Sequence, residues 1–112
     1  MDDFRQYKDL GVYNDLSEWN QLIHDLSDMD YKLLTLKKYK DSKESYIINN
    51  TDFKKIYGAN NDKVRKAHVT KKLANTLSLI DDLELTIADK KRRISFLKTS
   101  LEVKKELMRL SF

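Results

Sequence analysis

The fold class this sequence predicts is all-α, a long antiparallel helical hairpin of coiled-coil type with a short helix or extended insertion at its connection. Three observations predict it. Toward the C-terminal end, Val69, Leu73, Thr76, Ile80, Leu83, Ile87, Lys90, Ile94, Leu97, Leu101, Lys104 and Met108 are spaced alternately by four and three residues. That spacing marks one long helix whose seam needs a partner helix. Earlier in the chain, Trp19, Leu22, Leu26, Met29, Leu33 and Leu36 repeat the pattern, and Leu16 and Ile23 widen it into a broad apolar stripe. Finally, the chain has no proline and only two glycines, Gly11 and Gly58, so helix breaks are confined to few places.

Taken in order, residues 1–14 hold Phe4, Tyr7, Leu10, Val12 and Tyr13 around Gly11 and read as a small helix or extended arm that packs back. Asp15 then serves as an N-cap, with Glu18 in an acidic first turn favourable to the helix dipole. The first long helix runs over 15–43, roughly 29 residues or about 43 Å at the usual rise. The connection occupies 44–61. Its Tyr46, Ile47 and Ile48 favour an extended strand-like segment before the turn-prone Asn49 and Asn50. Thr51 is suited to cap a short helix from Asp52 to Tyr57, with Gly58 in the left-handed position that ends it. Asn60 or Asn61 caps the second long helix, which spans 62–110 with Asp62 in its first turn.

Length then enters the argument. A helix of roughly 49 residues outruns one of roughly 29 by about 30 Å. Laying Leu36 beside the start of the second helix places Trp19 near Ile87. The later seam is then uncovered, and Ile94, Leu97, Leu101, Leu107, Met108 and Leu110 become the expected interface with a second copy or another protein.

Charge is distributed unevenly. The net charge is +4, yet residues 1–36 carry −5, residues 37–72 carry +7 and residues 73–112 carry +2. The basic stretch surrounds the connection, where aromatic residues interleave with lysines. Lys54, Lys55, Lys63, Arg65, Lys66, Lys71 and Lys72 are therefore the candidate nucleic-acid contacts, acting on phosphates without reading bases. The same aromatics also suit a small core beneath the connection. A further basic run, Lys90 to Arg93, falls near the acidic start of the first helix, with Asp15 and Glu18 as its partners. Lys90 and Lys104, at seam positions, can cover apolar surface with their stems and fix register.

The chemistry of catalysis is not visible. The chain has no cysteine and two histidines, lacks a glycine-rich phosphate loop, and shows no nucleophile arranged with a histidine. His24 and Asp28 have helical ligand spacing, but two ligands do not make a metal site. We therefore expect no enzyme, no cofactor, no metal and no small-molecule substrate. Absence of cysteine fits a reducing cytoplasm, and no apolar run is long enough for a membrane span.

The stretch from Asp52 to Gly58, followed by Asn60-Asn61-Asp62-Lys63-Val64-Arg65-Lys66-Ala67-His68-Val69 and a coiled-coil helix, resembles small coiled-coil proteins from the early, replication or recombination regions of phages and prophages of Gram-positive bacteria. This resemblance covers about the C-terminal half. It implies a setting in a host cytoplasm and, as one role, inhibition of host replication or defence machinery. The residues themselves point first to a coiled-coil interaction protein that self-associates or docks a protein partner, and second to a non-specific nucleic-acid-binding module.

Overall fold

The structure is a computed structural model, and it describes residues 11–111. Four helices follow in order: α1 (Val12–Asn50), α2 (Phe53–Tyr57), α3 (Asp62–Lys72) and α4 (Ala74–Ser111). No strand occurs among the described residues, and the fold is an all-α helical hairpin. The chain divides into two compact units. One is Met1–Met29 with Thr86–Phe112, and the other is Asp30–Leu85.

The boundaries of α1 differ from the sequence expectation at both ends. Gly11, at φ 73°, stands just before the helix, and its carbonyl accepts from the Asp15 amide at 2.9 Å. Asp15 is thus a first-turn residue instead of the cap. The proposed arm falls on residues 1–10, which lie outside the described residues, on Gly11, and on 12–14, which begin α1. At the other end Tyr46, Ile47 and Ile48 are helical, not extended. Ile47 and Ile48 are half-buried on the face that continues the α1 stripe, and their packing overrides β propensity. The final carbonyls are also satisfied: Asn50 Nδ2 donates to the Tyr46 carbonyl at 2.8 Å and Thr51 Oγ1 donates to that of Ile47 at 2.6 Å. Thr51 therefore closes α1, and the capping of α2 passes to Asp52, whose side chain accepts from the Lys55 amide at 3.1 Å.

In the unit Asp30–Leu85, the short α2 ends on Gly58, again at φ 73°, with its amide donating to the Lys54 carbonyl at 2.8 Å. Asn61 caps α3 by accepting from the Val64 amide at 3.0 Å. Phe53 is almost fully buried and meets the His68 ring edge-on at 5.3 Å between centroids. The Tyr57 hydroxyl bonds His68 Nδ1, so one aromatic cluster pins α2 to α3. Between α3 and α4, Leu73 departs from helical geometry at φ −103° and ψ 17°. The bonds from the Leu73 amide to the Val69 carbonyl and from the Leu77 amide to the Leu73 carbonyl, both 2.9 Å, carry the helical ladder through this dent. Val69, Leu73 and Ile80 are buried here.

In the other unit, Leu22, Ile87 and Leu97 form the buried apolar set. Asp15 reaches Lys104 at 2.6 Å and Ser100 at 3.4 Å, Glu18 reaches Arg93 at 2.6 Å, and Asp25 reaches Lys90 at 3.5 Å. These pairs run in opposite directions along the two helices and establish an antiparallel register. Trp19 consequently lines a depression with Lys98 and Leu101, not with Ile87. The register is displaced from expectation because α1 continues past 43 to Asn50 before the connection begins.

Candidate interaction surfaces

The corrected register shortens the expected overhang, since Asp15 of α1 reaches Lys104 of α4. Contacts of Asp15 to Ser100 and Lys104, and of Glu18 to Arg93, bracket Leu97, which is only 1% exposed. Ile94, Leu101 and Met108 are half-buried on the same seam. Leu101 lines a depression with Leu16 and Trp19 of α1. Of the residues expected at an interface, Leu107 and Leu110 alone are exposed.

A different face of α4 is open, of which the sequence pattern singled out Leu110 alone. Phe96, Val103 and Leu110 are 60%, 55% and 77% exposed, and they stand seven residues apart. Seven-residue spacing keeps side chains on one side of a helix, here the side away from the buried Leu97 and Ile87. Thr99, Val103 and Glu106 line a shallow groove along it. The signal was present in the sequence as a second heptad, but it runs beside the stronger seam and contains only three large apolar residues.

Of the basic run from Lys90 to Arg93, Arg93 meets Glu18 as expected, whereas Lys90 meets Asp25, and Asp15 pairs with Lys104 instead. Lys104 and Asp15 side chains are 20% and 16% exposed, so this pair is well shielded from solvent. Glu18 takes a two-pronged hydrogen bond from Arg93, through Nε at 2.6 Å and Nη2 at 2.9 Å. That bond lowers the Glu18 pKa below its ordinary value of 4.5 and raises that of Arg93. Arg92, by contrast, pairs along its own helix with Asp89.

The seven proposed nucleic-acid contacts all lie in the unit Asp30–Leu85. Arg65 is committed locally, to Asn60 Oδ1 at 2.7 Å and to Asp62. Lys54, Lys55, Lys63, Lys66, Lys71 and Lys72 are exposed, and none has an acidic partner at ion-pair distance among the described residues. Of the interleaved aromatics, Phe53, Tyr57 and His68 are taken up by the cluster between α2 and α3. A groove of about 360 Å³ in this unit is lined by Lys40, Glu44, Ile48, Arg65, Lys66 and Leu73. Its polar lining includes both signs of charge.

No family model, curated protein or solved structure matches this chain. Function therefore has to be argued from the surfaces themselves. His24 Nε2 and Asp28 Oδ2 lie 3.8 Å apart on an exposed face, and no group of three metal-ligating side chains gathers among the described residues. No helix among them is long and apolar enough to cross a membrane.

Proposed function

We propose that this protein is a non-enzymatic interaction module, a helical hairpin that self-associates through the outer face of the C-terminal half of α4. The observation that carries this reading is the heptad-spaced, solvent-exposed row of Phe96, Val103 and Leu110. Each such side chain gains about 1.5–3 kcal/mol on full burial. A stripe with coiled-coil period on an already paired helix is suited to a further helix, and a second copy of the same chain supplies one without any other component. The polar seam supports a structural role for the remaining charges, because Asp15, Glu18 and Asp25 are engaged by Lys104, Arg93 and Lys90.

The test is light scattering coupled to gel filtration on the wild type and on Phe96→Glu/Val103→Glu, with circular dichroism to verify that helicity is retained. The reading expects an oligomer that the double variant converts to a folded monomer. A wild-type monomer, or a variant that stays oligomeric, contradicts it.

A further inference from the structure

We infer that the unit Asp30–Leu85 binds single-stranded nucleic acid along one side of α1, through Tyr39, Lys43 and Tyr46. This site is separate from the α4 stripe and does not depend on self-association.

The argument begins with charge. By sequence, Asp30–Leu85 holds 12 basic and 8 acidic residues, whereas the other unit balances 10 against 10, so the whole net charge of +4 belongs here. Much of it is uncommitted: the lysines of α2 and α3 are exposed and have no acidic partner at ion-pair distance among the described residues. A concentration of unpaired ammonium groups attracts polyphosphate by counterion release.

Aromatic placement then narrows the class of ligand. Phe53 and Tyr57 are spent on the α2 and α3 contact, but Tyr39 and Tyr46 remain 49% and 63% exposed. They stand seven residues apart with Lys43 between them, four after the first and three before the second. In a helix those three share one face, extended by Lys32 before and Asn50 after. Lys43 Nζ lies 5.7 Å from the Tyr39 ring centroid and 5.8 Å from that of Tyr46, so one cation serves both rings. The rings are about 10.5 Å apart along the axis.

Exposed rings alternating with cations form a platform on which unpaired bases stack while adjacent phosphates are neutralised. A duplex keeps its bases stacked internally and cannot use the rings in this way. A membrane surface favours a continuous apolar face, whereas here each ring is followed by a lysine or asparagine at helical spacing.

Fluorescence anisotropy of a labelled 20-nucleotide oligo-dT tests the assignment, with a 20-base-pair duplex and vesicles containing half phosphatidylglycerol as competitors. The full chain should bind the oligonucleotide, with affinity falling steeply as salt rises. Tyr39→Ala/Tyr46→Ala should weaken binding by about fivefold or more for each ring lost. Tyr39→Phe/Tyr46→Phe should bind as the wild type does, and Lys43→Glu should weaken binding. All variants change exposed side chains, so unaltered melting curves certify their fold. No binding at 50 mM salt, an alanine double variant as tight as wild type, or stronger competition by duplex or vesicles than by unlabelled oligo-dT overturns the proposal.

Discussion

The two units use the same residue types for different ends. In the unit Met1–Met29 with Thr86–Phe112, Lys90, Arg93 and Lys104 meet acids on α1, and opposite charges balance. In Asp30–Leu85, Lys37 reaches a carboxylate distant in sequence, Glu84 at 3.1 Å, and most lysines face solvent. The first unit thus uses polar side chains to specify register, while the second joins an aromatic cluster to buried Val69, Leu73 and Ile80 and exposes most of its lysines. A lysine run has a role that depends on which acids its fold brings opposite, and composition alone does not reveal that.

The largest expected effect lies in the contrast between the two sides of α4. Leu97→Ala should lower stability by about 2–5 kcal/mol, because the residue is fully buried and its removal leaves a cavity. Phe96→Ala, one residue away, should cost the isolated chain little, and chemical denaturation of dilute samples compares them directly. Equal losses at both positions would show that the register assigned to α1 and α4 is wrong.

Next in size is the shielded polar pair. Lys104→Met leaves Asp15 with a weak Ser100 contact and should destabilise by about 1.5–3 kcal/mol, the worth of a charged hydrogen bond. Lys71→Met, in the basic region of the other unit, should fall within about 0.5 kcal/mol of wild type. A double-mutant cycle with Asp15→Asn isolates the coupling. Additive losses would deny the pair a role in register.

Gly58→Val tests the connection. At φ 73° any side chain pays a backbone penalty of about 1–2 kcal/mol, and no atom within 4 Å of the added Cβ complicates the reading. Thermal melting should register the loss, whereas an unchanged Tm would contradict the left-handed cap.

The smallest effect is a titration. Glu18 has a folded pKa below its ordinary value, chiefly through the hydrogen bond from Arg93. Its contribution to stability is therefore complete above the ordinary glutamate range and is lost as pH falls through the lowered value. Carbon-13 NMR of the carboxyl should place the midpoint below 4.5 in the wild type and return it toward 4.5 in Arg93→Gln. Identical midpoints would remove this ion pair from the account.

How much of this was legible in the sequence follows from the range of each interaction. The heptad ladder, the α2 helix, the Gly58 turn and the Asn61 cap are local patterns, set by side chains within a few residues of the backbone they satisfy. The end of α1 was not legible, since Tyr46, Ile47 and Ile48 favour strand locally and become helical where Ile47 and Ile48 find a buried face. That short error in element length propagated into the register. It moved Trp19 from Ile87 to Leu101 and turned Leu97 from an expected interface residue into a buried one. The exposed row of Phe96, Val103 and Leu110 became identifiable once the first seam was assigned to α1.

Sedimentation equilibrium of the wild-type chain over a wide concentration range tests self-association through that row most directly. The chain mass is 13.3 kDa. The account predicts a mass that rises with concentration to at least twice that value and falls back to it when Val103 is replaced by glutamate. A mass of 13.3 kDa at every concentration would contradict it.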